Sequence, residues 1–346
     1  MEQLLRRRSP FLASRRRFAG LAIAGSLACC AAGAQEVIVT SQSPTSVKAF
    51  DLALTGDVAP ARELAGAATG LVLSFSALVD PVRREIYVAD FSGDAIRVFL
   101  LDADGDVAPV REIAGNLTQL DAPIGMAIDA LAGELFVKPY GSSTVLVFPL
   151  LAAGNVAPAR VLTSAVPLGN NSRAVAVDPL HGELFVTNQE AAGSVLVFPS
   201  GASGVTAPTR SLAGAATQLV DPSVMKLDLV HDELFVLANG AVLTFGRAQQ
   251  GDVPPTRSFS FSISLGSPAG IDLDPVPDEL VVSGQSSSGH ILAFPRTTTG
   301  VAVPTRDIAG PATGLSFNTM LSVVPTPLFA DGFESGTTAA WSATVP

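Results

Sequence analysis

The chain has 346 residues, and 31 acidic against 21 basic side chains give it a net charge of −10. That sign repels phosphate backbones and excludes unspecific nucleic-acid binding, which rests on cationic contacts. Its two cysteines, Cys29 and Cys30, sit side by side near the N-terminus.

Residues 1–34 read as an export signal. They hold six arginines, Arg6–Arg8 and Arg15–Arg17, and a weakly apolar run over Ala19–Ala32. The small-residue site Ala32-Gly33-Ala34 then precedes Gln35. Ser14-Arg15-Arg16-Arg17-Phe18 resembles a bacterial twin-arginine signal, with an ordinary secretory signal as the alternative. A lipoprotein anchor at Cys29 is a third reading, against which Ser26 stands where a large aliphatic residue is wanted. Cleavage after Ala34 removes both cysteines, and with them any disulfide, zinc–thiolate site or cysteine nucleophile. It also moves the net charge to −15, because the segment carries six basic residues and one acid. No later apolar run approaches the ~20 residues of a spanning helix. The expected product is a monomer, periplasmic or extracellular, without a membrane span.

From Glu36 onward the sequence repeats. A Pro-x-Arg arginine recurs at Arg62, Arg111, Arg160, Arg210, Arg257 and Arg306, at spacings of 49, 49, 50, 47 and 49. Phe50, Phe99, Phe148, Phe198, Phe245 and Phe294 end mostly apolar runs at the same spacings. Glu36, Glu85, Glu134, Glu183, Glu233 and Glu279 each open a further apolar run. The clearest copy, residues 173–214, predicts four short strands: Ala174–Asp178, Glu183–Asn188, Ser194–Phe198 and Thr209–Leu212. Four strands per ~50 residues in six copies define the blades of a β-propeller. The phase predicts how the ring closes. Residue 36 begins at a second strand, and Met320–Val324 matches a first strand with no second strand after it. The fold expected is all-β, a six-bladed propeller with four antiparallel strands per blade, over residues 35–327. Strand 320–324 completes the N-terminal blade.

Val177-Asp178-Pro179, Glu183-Leu-Phe-Val-Thr-Asn188 and Ser194-Val-Leu-Val-Phe198 resemble an NHL or YVTN-type repeat of bacterial propellers, in the six-bladed TolB-like class. The resemblance covers residues 36–325 and implies a fold more than a function, since such propellers include scaffolds, ligand binders, lactonases and lyases.

Most recurrent polar residues serve the blade. Asp80, Asp129, Asp178, Asp228 and Asp274 end first strands and can cap the tight turn that follows. The repeated arginines can pack their stems on the outer strand and meet an acid. His181 and His231 share a turn position, and His290 opens a third strand. Asp102-Ala-Asp104-Gly-Asp106 offers clustered oxygens to a calcium ion, although other blades keep the turn without those acids.

A single site needs departures from the repeat. Arg173, Lys226 and Asp272 interrupt otherwise small or aliphatic first strands. Asp90 and Asn188 end second strands, with Tyr140 and Asn239 beside the same register. These seven are the candidate ligand-binding residues at the channel mouth. Resemblance to gluconolactonase-type propellers implies a divalent ion held by a Glu, two Asn and an Asp. Asp90, Asn188 and Asn239 stand near suitable places, but no first strand carries a glutamate.

The expected function is therefore an exported binding scaffold for a protein or small ligand, with no catalytic set and no cofactor. The alternative is a metal-dependent, lactonase-like hydrolase or lyase at the channel mouth, using a divalent cation. Residues 328–346 form a tail with the lone Trp341, and read as an attachment signal they make the protein a structural surface component.

Overall fold

The computed structural model describes residues 35–169, 172–190 and 193–325. The expected export segment, 1–34, and the expected tail from 328 lie outside the described residues. Six antiparallel sheets are formed, each with its first strand on one edge. Blade 1 joins Asn318–Val324 to Glu36–Gln42, Thr45–Asp51 and Arg62–Leu64. Blade 2 is Ser74–Asp80, Glu85–Asp90, Ala95–Leu100 and Arg111–Ala114, and blade 3 is Pro123–Asp129, Glu134–Pro139, Thr144–Pro149 and Arg160–Ser164. Blade 4 is Val175–Asp178, Glu183–Asn188, Ser194–Pro199 and Arg210–Ala213. Blade 5 is Val224–Asp228, Glu233–Ala238, Ala241–Gly246 and Arg257–Phe261. Blade 6 is Ser267–Asp274, Glu279–Gln285, Ile291–Pro295 and Arg306–Ile308. The chain is a six-bladed β-propeller.

Closure follows the expected phase. Glu36 pairs with Val324, Ile38 with Ser322 and Ser41 with Asn318. The closing strand starts two residues earlier than Met320, at Asn318. Thr319 extends it, because its hydroxyl meets that of Thr40 in the neighbouring strand. Fourth strands begin at the arginine rather than before it, as Arg210–Ala213 illustrates.

The recurrent phenylalanines are the core. All six are at most 1% exposed, and each packs against the preceding blade. Phe99 lies with Ile38 and Val47 of blade 1, and Phe148 with Tyr87 and Ile96 of blade 2. Phe50 lies with Val281 and Ile291 of blade 6, so the ring also closes in its apolar core. Burying one such ring contributes about 1.5–3 kcal/mol.

Each recurrent arginine meets the recurrent glutamate of its own blade. Contacts of 2.5–2.7 Å join Arg62 to Glu36, Arg111 to Glu85, Arg160 to Glu134, Arg210 to Glu183 and Arg257 to Glu233. Arg306 and Glu279 form the sixth pair. The guanidinium also donates to a carbonyl of the next blade: Arg62 to Leu101, Arg160 to Ser200, Arg210 to Arg247, Arg257 to Arg296 and Arg306 to Leu52. Blade 2 uses a relay, in which Arg111 donates to Tyr87 Oη and that hydroxyl donates to Leu150 of blade 3.

At the outer rim, the turn between third and fourth strands pairs in parallel with the fourth strand of the preceding blade. Two such turns become strands, Gly204–Thr206 against Arg160–Ser164 and Gly300–Ala302 against Arg257–Phe261. Four make single bridges, among them Gly56 with Ile308 across the closure. Where the bridge is single, the turn carries Asp or Asn and the preceding blade carries Gly-x-x-Thr. Asp106, Asn155, Asp252 and Asp57 then accept the N–H of Ala68, Leu117, Ala216 and Ala312 at 2.6–2.8 Å. The glycines of that motif, Gly66, Gly115, Gly214 and Gly310, have φ of 115–131°. A Cβ on any of them would fall 2.2–2.6 Å from the clamping side chain, so only glycine fits.

Two outcomes are expected. Ending the chain after residue 327 leaves the melting temperature close to that of the full chain. Ending it after Phe317 deletes the closing strand and uncovers Phe50 and Ile38, so the ring melts far lower and aggregates on heating. Arg111→Met leaves Glu85 without its partner, at about 2–3 kcal/mol, because the pair is not wholly shielded from water. For a ring of this size that is a fall of about 4 °C, read by calorimetry. The Arg111 hydrogen bond holds the Glu85 carboxyl below its ordinary range. Stability from this pair is therefore full above the usual glutamate pKa and lost as the pH falls through the lowered value.

Candidate functional site

First strands surround a central channel with a cavity of about 420 Å³. Its wall is unequal. Leu78, Ile128 and Ala176 line it on blades 2–4, whereas Lys226, Asp272 and Ser322 line it on blades 5, 6 and 1. The polar side is consumed internally. Lys226 forms an ion pair with Asp272, whose carboxylate also accepts the Val323 N–H at 2.8 Å. Ser322 Oγ accepts the Val79 N–H at 3.2 Å. Lys226 and Asp272 thus meet, and their contact joins blade 5 to blade 6.

Asp90 and Asn188 are loop clamps. Asp90 is fully buried and accepts the N–H groups of Val72 and Leu73 at 3.0 and 2.8 Å, plus Arg97 Nε at 3.0 Å. Asn188 Oδ1 accepts the N–H of Gly169 and of Glu190, both at 3.0 Å. Ser41, the equivalent in blade 1, holds the incoming loop by donating to Ser316 O at 2.7 Å. Asn239 is exposed, at φ 48°, in the two-residue Asn239-Gly240 turn that joins adjacent strands. Asp90 and Asn188 each hold a loop of their own blade through the side chain, whereas Asn239 forms its turn through the backbone. Among the described residues no three His, Cys, Asp or Glu side chains gather as a metal-ion site.

The Asp102–Asp106 turn is likewise engaged. Asp104 accepts the Glu63 N–H at 2.9 Å, Asp106 clamps Ala68, and Asp102 acts on Arg62 through its charge. First-strand aspartates cap their turns as the sequence suggests. Asp178 Oδ1 accepts Leu180 and His181 N–H groups at 3.0 and 3.1 Å, and its other oxygen lies 2.7 Å from His181 Nδ1. Asp228 and His231 repeat the arrangement. His290 lies 2.9 Å from Asp307.

Arg173 and Tyr140 come near one another through aromatic rings. The Arg173 guanidinium lies 5.8 Å from the centroid of Phe75, reaching from blade 4 past blade 3 to blade 2. Phe75 touches Phe91 and Phe91 touches Tyr140, each pair with centroids 5.7 Å apart. Gly125 of blade 3 permits the crossing, since a Cβ there would stand 2.1 Å from the Arg173 carbonyl oxygen. Arg173 also borders a cleft of about 470 Å³ together with Asn239, Gln189, Asp221 and Ser267.

Lys138, Phe75, Phe91 and Asp221 escape a reading of the sequence alone. Lys138 is wholly buried with no acid beside it, and its Nζ donates to the carbonyls of Pro139 and Ser142. The signal was present: other blades have Thr40, Ala89, Thr187, Leu237 or Ser283 in that register. Burial pushes the Lys138 ammonium down to about 8.

No family model matches the chain, and no curated protein does. Solved structures do. A chain of the nidogen/laminin complex is similar at TM-score 0.60 and 13% identity, covering 84% of this chain and 99% of its own length. A functionally unknown protein from Desulfotomaculum acetoxidans DSM 771 is similar at TM-score 0.57 and 12% identity, with the same coverage. These likenesses establish the propeller fold.

Lys138 supplies a pH test. Its pKa is lower folded than unfolded, so between pH 8 and 10.5 the unfolded chain binds the extra proton and stability rises with pH. Denaturant titrations at stepped pH are expected to show that rise in the native protein. Lys138→Met should remove it.

Proposed function

We propose that the protein is an exported, monomeric, non-enzymatic scaffold, periplasmic or extracellular, that binds a protein partner with one face of its disc. The observation that carries this is a ring of aliphatic side chains. Val82, Leu131, Leu180, Val230 and Val276 are between 69 and 87% exposed, the same turn position in blades 2–6. The turns are built to present them. In each, the first-strand aspartate accepts the N–H of that same residue: Asp80 from Val82, Asp129 from Leu131, Asp178 from Leu180, Asp228 from Val230 and Asp274 from Val276.

Single exposed aliphatics are ordinary, but five in one register make an apolar annulus of the kind that marks interaction surfaces. The annulus is continuous with the channel mouth, which Pro81, Val82, Ala130, Pro179 and Leu229 line. Charged groups such as Arg84, Asp232 and Asp278 stand beside it in the same turns, an apolar centre with a polar rim. The same fold serves in the nidogen/laminin complex, an assembly of proteins. A metal-dependent hydrolase has less support, because Asp90 and Asn188, two of the groups it needs, each hold a separate loop.

The variant Leu180→Asp/Val230→Asp tests the reading. Both side chains are exposed, so melting should move little, within the ~0.5 kcal/mol of ordinary surface changes. Binding to a partner purified from the exported fraction should weaken at least tenfold, since central apolar contacts carry most interface energy. Affinity retained by the double variant in calorimetry would sink the docking face.

A further inference from the structure

The opposite face carries a different chemistry. Alternating strand direction puts the turns between second and third strands on the same face as the loops that enter the first strands. There the 470 Å³ cleft lies across blades 4, 5 and 6, bordered by Arg173, Asp221 and Asn239. Its volume is that of a small-molecule site.

Arg173 is unlike the other arginines of the propeller. Those of the repeat are paired with glutamates, and Arg83, Arg97, Arg247 and Arg296 also meet carboxylates. Arg84 is exposed in a turn. Arg173 is half-buried, and among the described residues no carboxylate oxygen comes within the 4.0 Å of an ion pair. Its Nε is buried without a hydrogen-bond partner. A desolvated cation with an orphaned donor is costly unless an anion arrives to satisfy it. Burial lowers its pKa, while the charges of Tyr140 and Asp221 oppose that shift. The Arg173 guanidinium lies 5.8 Å from the Phe75 ring centroid, a contact that places its charge at the cleft, and a guanidinium offers the paired donors that suit forked recognition of a carboxylate.

The remaining lining narrows the ligand. Asp221 attracts Arg173 through its charge yet does not reach it, so two opposite charges border one cleft across a gap. Asp221 is exposed and acceptor-only, so a ligand that displaces water from it must offer a donor. Asn239 and Ser267 add a carboxamide and a hydroxyl, and neither makes a side-chain hydrogen bond to a described residue. A ligand that satisfies the set brings a carboxylate to Arg173 and hydroxyl donors to Asp221 and Asn239. We propose that this cleft binds a hydroxylated carboxylate of sugar size, a hexuronate-type acid. The site is separate from the aliphatic annulus, and either can fail without the other.

The probe is D-galacturonate, titrated calorimetrically into the full-length mature protein. D-galactose lacks the carboxylate, acetate lacks the hydroxyls, and glycine offers an ammonium group in their place. Saturable binding of galacturonate is expected, with galactose, acetate and glycine each at least tenfold weaker. Arg173→Gln and Asp221→Asn should each weaken galacturonate at least tenfold. Arg84→Gln, which removes the same charge from the other face, should leave the galacturonate affinity unchanged. Arg173→Gln should melt close to the native temperature, because the half-buried charge it deletes makes no ion pair with a described residue, and that confirms a folded variant. No saturable binding, affinity retained in Arg173→Gln, or equal loss in Arg84→Gln would overturn the proposal. Glycine binding more tightly than galacturonate would overturn the hydroxylated class.

Discussion

The glutamate–arginine pair that spans the second and fourth strands of every blade is the contact on which the ring depends. It ties an inner strand to the outer one within a blade, and the same guanidinium then reaches a carbonyl of the next blade. One side chain therefore serves intra-blade register and inter-blade spacing together. The aromatic ring two residues after the glutamate supports it in four blades, where Arg111, Arg160, Arg210 and Arg257 lie over Tyr87, Phe136, Phe185 and Phe235 at 5.2–5.9 Å. Blade 2 tests the rule by changing the means. Its ring is a tyrosine, and the phenol carries the reach to Leu150 that the arginine makes directly elsewhere. The ring geometry is kept while the donor changes.

That contact also explains what could be read from the sequence. Glu, Phe and Arg were each visible because six copies repeat them at nearly fixed spacing, and a ring must satisfy each junction in the same way. The closing strand was legible from phase alone. The Asp102–Asp106 turn looked like a cation loop because its partner, the Gly-x-x-Thr of the preceding blade, lies about 40 residues away in sequence. Once the two are seen together, Asp106 is a clamp on Ala68. The correlation was present in the chain: turns with Val205 and Val301 follow blades without the motif, and those turns become parallel strands instead.

Departures from the repeat were legible as departures and no further. Arg173, Lys226 and Asp272 stood out against small residues, but which of them meet is a matter of the ring's curvature. Lys226 and Asp272 face one another across adjacent blades, whereas Arg173 crosses to Phe75, two blades away. A spacing argument cannot see a contact that skips a blade. Asp90 and Asn188 stood out in another way. Polar residues at a channel mouth suggest a ligand, and in the structure each of these accepts hydrogen bonds from the chain's own incoming loop.

The two faces differ because the two kinds of connection obey different constraints. Turns between first and second strands are short and governed by one aspartate, so they repeat and yield a regular annulus. Loops entering the first strands answer to the outer rim, where two solutions exist. Where Gly-x-x-Thr is clamped by the next blade, the loop is fixed close to its start, as at Thr69, Thr118, Thr217 and Thr313. Where a parallel strand replaces the clamp, after blades 3 and 5, the loop is released from that geometry. Those two loops lead to Arg173 and to Gly266–Pro268, which both border the cleft. Asymmetry in this propeller therefore arises where one form of inter-blade seal is exchanged for another, and Arg173 sits on a loop so released.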